Sequence, residues 1–243
     1  MNEKVVAIIP IRGSDEEFQQ GTPLLGGKPL IEYTIQAAKE SRLLNRVIVS
    51  TDSPAIAQAC REVQAEVPFL RPASLSQPSV SETEVLKHCV EWLERQEGYR
   101  ADWVVKLEIT HPFRPRGVID RVIETALSTQ VDSAFLVYED QNSYWTLDES
   151  GQPQQIGEEV DVPRKVRRPF YRDLSGLASI TRAANLLEGR LYGKNIGLIP
   201  LRDLFAIVDT HEGHGPSSER VGYRLAELLA PEYNRKRILE GVL

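Results

Sequence analysis

Short runs of β-branched and other apolar residues alternate along this chain with stretches in which apolar residues recur at helical spacing. Strands buried on both faces of a parallel sheet are continuous apolar runs, whereas amphipathic helices repeat apolar residues every three or four positions. A chain that alternates the two forms right-handed strand-helix-strand crossovers. We therefore predict an α/β fold with a Rossmann-like, mostly parallel sheet flanked by helices.

This alternation assigns most of the chain to elements. The predicted strands are 5–10, 46–51, 66–70, 103–109, 177–181, 195–200 and 206–209. The predicted helices are 30–41, 54–63, 81–96, 117–128, 182–189 and 218–229. Between about 138 and 172 the sequence is polar, rich in Gly, Pro and charged residues and without either period, so we interpret it as an inserted hairpin or arm. We expect one domain spanning 1–243.

The balance of charges limits the classes of partner. The chain has 29 Lys and Arg against 35 Asp and Glu, a formal net charge of -6, so a general electrostatic attraction to nucleic acid or anionic lipid is not expected. The first apolar run is too short for a signal peptide, and no stretch approaches the roughly 18 apolar residues of a membrane span. Cys60 and Cys89 lie in predicted helices, and we expect buried, reduced thiols, which suits the cytoplasm.

The loop after the first predicted strand is the first candidate for a binding site. Ligands of open α/β sheets bind at the carboxyl ends of the strands. This loop begins with Arg12, Gly13 and Ser14. The glycine allows backbone amides to approach a phosphate closely, and the arginine offers a planar fork of donors to phosphate oxygens. We take all three as candidate nucleotide-binding residues, with a plain strand-to-helix turn as the alternative.

Several motifs in a fixed order then identify a family. They are GGKPLIEYTI at 26–35, STDS at 50–53, VPFLRP at 67–72, LEITHPFRP at 107–115 and IVDT at 207–210. Together they resemble the acylneuraminate cytidylyltransferase family, the CMP-sialic acid synthetases. The resemblance covers nearly the whole chain and implies a fold of the nucleotide-diphospho-sugar transferase type, in which the inserted arm forms a dimer contact.

The resemblance implies transfer of a cytidylyl group. The anomeric hydroxyl of a 2-keto sugar acid, a sialic-acid-like nonulosonic acid, would attack the α-phosphate of CTP and release pyrophosphate. Such a reaction depends on neutralising charge more than on a protein nucleophile, and Mg²⁺ is the expected cofactor. The partners implied are CTP, a sugar acid and a second copy of the chain in a homodimer.

The resemblance also implies roles for single residues. Arg12 matches the arginine that contacts the triphosphate, and Asp209 matches one of two aspartates that bind the metal, so these two are the catalytic candidates. Arg71 matches an arginine beside the cytosine, and Ser81 lies where the family has a serine near the nucleoside. Glu108 aligns with the family's glutamine and is a candidate for contact with the sugar.

Several of these positions also have simpler structural explanations. Ser81 precedes Glu84 by three residues, which is the spacing of a capping box. Arg71 would also be explained by a surface ion pair, and Asp209 by a cap or turn. Asp52 of STDS recurs in the family, and we interpret it as the cap of the next helix.

Other positions depart from the family pattern. Asp15 and Glu16 stand where the family has a lysine after its serine, and Gln20 and Gly21 replace a Lys-Asn pair. Ile207 occupies the position of the first metal-binding aspartate. Two alternatives therefore stay open: a nucleotidyltransferase for another sugar or nucleotide, and a nucleotide-sugar binding or regulatory protein without catalysis.

Two further groups are candidates for binding. A basic cluster in this acidic chain consists of Arg164, Lys165, Arg167, Arg168 and Arg172. We take Arg168 and Arg172 as candidates for the sugar carboxylate, with a solvated charged surface as the alternative. His111, at the end of a predicted strand, is a candidate for the sugar pocket or else a loop histidine that bonds to backbone. The run DTHEGHG at 209–215 offers further metal ligands, although its glycines and spacing favour a loop.

Overall fold

A central sheet organises the molecule, which we describe from a computed structural model covering residues 3–13, 23–157, 162–203, 205–211 and 221–239. Within these residues the strands are β1 (Val5–Ile11), β2 (Leu24–Leu25), β3 (Lys28–Pro29), β4 (Arg46–Thr51), β5 (Trp103–Lys106), β6 (Ser133–Asp140), β7 (Tyr144–Leu147), β8 (Pro153–Ile156), β9 (Phe170–Asp173), β10 (Ser179–Arg182) and β11 (Ile196–Pro200). The α-helices are α1 (Leu30–Lys39), α2 (Pro54–Glu62), α3 (Glu82–Glu97), α4 (Val118–Ser128), α5 (Ala183–Leu187) and α6 (Val221–Leu239). Short 3-10 helices cover Ala73–Leu75, Arg164–Val166 and Phe205–Ile207.

The main sheet is mixed but mostly parallel. Its seven strands among the described residues follow the order β11-β6-β10-β5-β1-β4, and β9 also pairs with β6. Strands β4, β1 and β5 are parallel, β11 is parallel to β6, and β10 lies antiparallel between β5 and β6. Because two reversals cancel, five of these strands share one direction, and only β9 and β10 oppose it. The predicted fold class is confirmed.

Strand β1 shows how the sheet separates two layers of core. Successive side chains of a strand point to opposite faces. Ala7 and Ile9 belong to the larger apolar cluster, which also contains buried residues of α1, α2 and α4. Val6 and Ile8 face the other way and pack in a cluster with Leu86 of α3. The continuous apolar run of β1 therefore reflects burial on both faces.

Three strand predictions were wrong in whole or in part. Segment 66–70 makes a single parallel bridge, between Glu66 and Ile48, because Pro68 has no N–H with which to extend a ladder. Segment 206–209 is not a strand, and the 3-10 helix Phe205–Ile207 overlaps it. The prediction failed because so short an apolar run has no period by which a strand can be told from a helix. Strand β5 ends at Lys106, three residues before the predicted end.

Two other elements differ from the prediction: helix α6 is longer, and strand β6 was not predicted. Helix α6 continues through Pro231 to Leu239, whereas the predicted helix ended at 229. Its buried stripe of Ala226, Ala230 and Tyr233 continues across the proline, so packing holds the helix together. Strand β6 was not predicted at all, although it pairs with three other strands of the main sheet, β9, β10 and β11.

The segment predicted as an arm contains a hairpin. Strands β7 and β8 pair antiparallel in a two-stranded sheet of their own. Three of its large apolar side chains are well exposed: Trp145 at 57%, Leu147 at 67% and Ile156 at 43%. The hairpin therefore presents apolar surface that nothing in the described chain covers.

The cysteines agree with the expectation of buried thiols. Cys60 and Cys89 are buried and free of disulfides. Burial raises the pKa of Cys60 to about 12 and that of Cys89 to about 11, so both stay protonated thiols at neutral pH. No helix in the described ranges has the length and apolarity to traverse a bilayer.

Candidate functional site

A cavity of about 300 Å³ opens at the carboxyl ends of β1 and β5, where the sequence analysis placed the site. This volume is at the small end of the usual range for ligand pockets. Its wall includes the end of β1, the start of α3 and the loop after β5. Among the side chains in the wall are Arg12, Arg71, Val80, Glu82, Glu108, Thr110 and His211. Three predicted site residues, Arg12, Arg71 and Glu108, are thus brought together.

The turn after β1 packs tightly against the turn after β4. The Gly13 N–H donates to Asp52 Oδ1 over 2.8 Å. A Cβ on residue 13 would overlap the Cβ of Ser53, so only glycine fits here. The Gly13 amide is thus engaged by a carboxylate rather than directed at a ligand. Ser14, the third candidate of this loop, lies outside the described residues.

The prediction that Asp52 caps the next helix was wrong. Ser53 is the N-cap of α2, and its Oγ accepts the Ile56 N–H at 3.3 Å. Asp52 instead accepts from Gly13 and lies 3.6 Å from Nη2 of Arg71. The carboxylate therefore joins two loops at the edge of the cavity.

Arg71 lies in the cavity wall, but its guanidinium is bonded to the protein. The residue is only 3% exposed. Its Nε donates to Ser76 Oγ at 3.0 Å, Nη1 to the Ser50 carbonyl at 3.2 Å and Nη2 to the Ile11 carbonyl at 3.0 Å. The alternative of an ion pair is borne out in part, since Nη2 also lies 3.6 Å from Asp52, although the arginine is buried rather than at the surface, and contact with a cytosine base stays a prediction.

Ser81 forms the capping box that its spacing predicted. Its Oγ accepts the Glu84 N–H at 3.3 Å, and the Glu84 carboxylate accepts the Ser81 N–H at 2.9 Å. Ser81 is exposed, while its neighbours Val80 and Glu82 line the cavity. The capping role is confirmed, and the nucleoside contact stays a prediction.

A buried lysine connects two acidic residues of the cavity wall. Lys106 is 4% exposed, and its Nζ lies 3.0 Å from Glu82 and 2.6 Å from Glu108. Burial alone would lower the pKa of Lys106, but the two carboxylates outweigh it and raise the pKa. Burial likewise favours a higher pKa for Glu108, yet the lysine lowers it, whereas burial dominates at Glu82 and raises its pKa. The lysine therefore holds a charged Glu108 at the cavity.

Sequence reasoning missed Lys106 and Glu82. The available signal was a single charged residue at the end of an otherwise apolar strand, in the run WVVK. Such a lysine, if buried, requires an anionic partner. Glu82 is at the start of α3 and so at the same edge of the sheet. Its proximity to Lys106 could be recognised only from the fold.

His111 is buried and is not among the residues of the cavity wall. It is 7% exposed, and its Nδ1 is 3.1 Å from Thr110 Oγ1. Burial lowers the pKa of His111 although Asp209 opposes the effect, so the imidazole is neutral at pH 7. Gly176 packs so closely that an added Cβ would lie 2.6 Å from the ring. The prediction that His111 lines the pocket is not supported by this geometry.

Asp209 lies beside this histidine, on a loop that is joined to the end of β5. The Thr210 N–H donates to the Thr110 carbonyl at 2.8 Å, and Asp209 Oδ1 accepts the His211 N–H at 2.9 Å. The described residues contain no group of three or more His, Cys, Asp or Glu arranged to hold a metal ion. Glu212 and His214 of the DTHEGHG run lie outside the described residues.

Arg114 holds the loops around this edge of the sheet together. It is fully buried, and its guanidinium donates to four backbone carbonyls and one hydroxyl. Two of those carbonyls belong to Glu108 and His111, and two to Gly176 and Leu177. The segment after β5 and the turn before β10 are therefore fixed to each other by one side chain.

The basic cluster lies on the arm, away from the cavity wall. Arg168 and Arg172 are both exposed, and neither lines the cavity. Arg172 is on β9, opposite Tyr138 of β6. Arg167 is bonded locally, to the Val162 carbonyl and to Ser143 Oγ, each at 2.6 Å. Within one chain the structure does not bring Arg168 and Arg172 to the candidate site.

Comparison with known proteins identifies the family of the chain. The sequence model of a family described as cytidylyltransferase matches residues 6–184. A CMP-N,N'-diacetyllegionaminic acid synthase of Legionella pneumophila is 34% identical over 124 residues, which is 50% of this chain and 52% of that protein. A pseudaminic acid cytidylyltransferase of Campylobacter jejuni is 29% identical over 137 residues, 56% of this chain and 59% of that protein. The matched region thus spans a little over half the length of these two relatives.

A solved structure shows the same fold. A CMP:2-keto-3-deoxy-manno-octonic acid synthetase complexed with CTP superposes with a TM-score of 0.65, covering 95% of this chain and 100% of that one at 16% identity. Its similarity supports a nucleotidyltransferase type of sheet and helix arrangement. The family model covers well over half of the sequence, and the cavity lies where that type of fold binds its ligands. The chain therefore belongs to the cytidylyltransferase family.

Proposed function

We propose that this protein transfers CMP from CTP to a 2-keto sugar acid of the nonulosonic type and releases pyrophosphate. The observation that carries the proposal is the cavity of a cytidylyltransferase-family chain with Arg12 in its wall, at the end of the first strand. The names of two relatives, one for legionaminic and one for pseudaminic acid, support a sugar acid as the acceptor.

In this reaction the anomeric oxygen of the sugar acid bonds to the α-phosphorus of CTP. The bond from that phosphorus to the bridging oxygen of the β-phosphate breaks, pyrophosphate leaves with the electron pair, and the hydroxyl proton passes to solvent. The task of the protein is to orient the reactants and to balance phosphate charge. Arg12 supplies a fixed positive charge at the end of β1 for that purpose.

The surroundings of Asp209 fit a magnesium ion that has few protein ligands. Mg²⁺ usually takes one or two carboxylates and completes its octahedron with water and substrate phosphate oxygens. Asp209 is partly exposed and spends one oxygen on the His211 N–H, which leaves acceptor capacity on its carboxylate. We propose that Asp209 would hold the ion, which when bound supplies charge neutralisation for the triphosphate.

We also propose that the protein works as a homodimer formed through its arm. The apolar surface of the β7–β8 hairpin and the adjacent exposed Val166 would be covered by a second copy. In such a dimer, Arg168 and Arg172 would be available to the partner's cavity and its sugar carboxylate. Light scattering over a range of protein concentrations tests the assembly.

A second candidate is a nucleotide-sugar binding protein without catalysis. One observation favours it: Ile207, at the position of the family's first metal-binding aspartate, lies in a 3-10 helix and cannot ligate a metal. Under this proposal the cavity would bind a nucleotide but would release no pyrophosphate.

One experiment decides between the two candidates. The protein is titrated calorimetrically with CTP, ATP, GTP and UTP, with and without Mg²⁺, and is then assayed for pyrophosphate release with a panel of 2-keto sugar acids. Selective, magnesium-dependent binding of CTP together with turnover supports the enzyme. Binding without turnover supports the second candidate, and absence of nucleotide binding contradicts both.

Replacing Arg12 with alanine should weaken CTP binding by more than about tenfold, because a charge-assisted hydrogen bond to phosphate contributes about 1.5 to 3 kcal/mol. The affinity is measured by calorimetry. Arg100→Ala serves as the control and should leave the affinity unchanged. Its side chain is 81% exposed and precedes β5, at the end of that strand opposite to the cavity. An Arg12 variant with wild-type affinity would remove Arg12 from the site.

Replacing Asp209 with asparagine should abolish the dependence of turnover on Mg²⁺ and lower the rate by at least about tenfold, since the amide is a neutral and weaker ligand. Steady-state rates across a magnesium titration measure both effects. Asp203→Asn is a matched control on the same connection, because Asp203 pairs with Lys236 of α6 at 3.5 Å. Undiminished turnover in the Asp209 variant would contradict the metal role.

A further inference from the structure

We propose that Asp52 is a positioning residue for the nucleotide site, one that fixes Arg12 without touching the ligand. This inference rests on the proposed function, because it concerns how the chain prepares Arg12 for a triphosphate. Asp52 is not among the residues of the cavity wall, and its side chain is 20% exposed. It would therefore act through the backbone of the loop that carries Arg12.

The backbone on both sides of Arg12 is held by hydrogen bonds. On one side the Ile11 carbonyl accepts from Arg71 Nη2 at 3.0 Å, and on the other the Gly13 N–H donates to Asp52 at 2.8 Å. Asp52 and the same nitrogen of Arg71 are 3.6 Å apart. The contacts form a closed ring from Ile11 through Arg12 and Gly13 to Asp52 and Arg71. Arg12 thus occupies the centre of a short segment whose two ends are fixed.

The structural role expected for Asp52, capping of α2, is carried out by the neighbouring residue. Capping of α2 is carried out by Ser53, whose Oγ accepts the Ile56 N–H. Asp52 is moreover an anion placed close to the site proposed for a triphosphate, where its charge alone would weaken binding of an anionic ligand. Its contacts with Gly13 and Arg71 offset that cost by holding the loop, which is the effect we assign to it.

The two contributions have opposite signs, so mutation separates them. If the charge were the main effect, removing it would strengthen CTP binding. If positioning is the main effect, removing the acceptor of the Gly13 N–H weakens binding, and an asparagine, which keeps an oxygen acceptor without the charge, restores it. The pair Asp52→Ala and Asp52→Asn therefore tests positioning by rescue with the conservative variant.

The control is Ser53→Ala. It removes the cap of α2 and lowers thermal stability, yet it keeps the Cβ against which Gly13 packs. We expect Asp52→Ala to weaken CTP binding about tenfold, and Asp52→Asn and Ser53→Ala to remain within about threefold of the wild type. Equal or tighter binding by Asp52→Ala, or an equal loss in Ser53→Ala, overturns the inference.

A second measurement needs no nucleotide. Amide hydrogen exchange of Gly13 in the ligand-free protein should accelerate at least about tenfold in Asp52→Ala and stay unchanged in Ser53→Ala, because only the former removes its acceptor. If the wild type binds no CTP, the proposed function fails, and the exchange rates alone decide whether Asp52 holds this loop. Unchanged exchange in Asp52→Ala overturns the inference in either case.

Discussion

Arg114→Leu should destabilise the protein by at least about 4 kcal/mol, which is enough to unfold a typical domain or to bring it close to unfolding. In the wild type a fully buried guanidinium donates to four carbonyls. The substitution replaces it with a shorter, apolar side chain that donates no hydrogen bond. Those carbonyls would lose the guanidinium donor without gaining access to water, although the Gly176 carbonyl would keep the Glu108 N–H as a partner. Urea denaturation followed by circular dichroism measures the change.

Two companion variants interpret the result. Arg114→Lys keeps the charge but cannot reproduce the planar fork, so we expect an intermediate loss. Arg100→Leu removes an exposed arginine that, among the residues the structure describes, pairs with Glu94, and it should change stability by less than about 0.5 kcal/mol. A loss below about 1 kcal/mol for Arg114→Leu would contradict the role that we assign to this residue.

Lys106→Met should destabilise the protein by about 3 kcal/mol at neutral pH, because it leaves Glu82 and Glu108 without the cation between them. Both carboxyls would then have a pKa above that of the unfolded chain, about 4.3. The folded variant would bind more protons than the unfolded one, so its stability should rise as the pH falls from neutral towards about 4. In the wild type, the lowered pKa of Glu108 contributes the opposite slope, with stabilisation that is lost as the pH falls through that pKa, while the raised pKa of Glu82 contributes a slope of the same sign as in the variant.

Urea denaturation at pH 7 and near pH 5 checks this prediction. The surrounding charges are Asp173 near Glu82 and His111 and Arg114 near Glu108, and none of them is altered by the substitution. Lys87→Met on α3, whose ammonium donates to the Leu187 carbonyl at the surface, is the matched control. A deficit that is the same at both pH values would show that lost packing, rather than the uncompensated carboxylates, explains the effect.

The sequence was sufficient to predict the fold class because strands that are buried on both faces of a sheet are continuous runs of apolar residues. Strand β4 was predicted with its observed bounds, and β1 differed only by Ile11. A strand was predicted at 177–181, where β10 lies, but its antiparallel direction could not be recognised, since a strand has the same side-chain period in either direction. Segment 66–70 was wrongly predicted as a strand because the prediction followed its apolar residues and not Pro68.

The site was predictable in position but less so in its connections. Arg12, Arg71 and Glu108 were placed correctly at one edge of the sheet because loops that follow parallel strands meet there. Asp52 was assigned to a cap because an aspartate and a serine before a helix fit that role equally well, and only coordinates distinguish them. Arg114 gave no sign of its importance, since sequence alone does not reveal that an arginine is buried among carbonyls.

The exposed hairpin has a thermodynamic consequence of its own. A two-stranded ribbon of four-residue strands is at best marginally stable in water. Within the described chain its main support is the contact between the rings of Tyr144 and Phe170, 5.3 Å apart, and the Arg167–Ser143 hydrogen bond. Any molecule that covers the ribbon therefore stabilises it by mass action. In the homodimer proposed above, that molecule is a second copy of the chain, so the order of the arm would depend on protein concentration, and dilution should make the arm the first segment that a protease cuts.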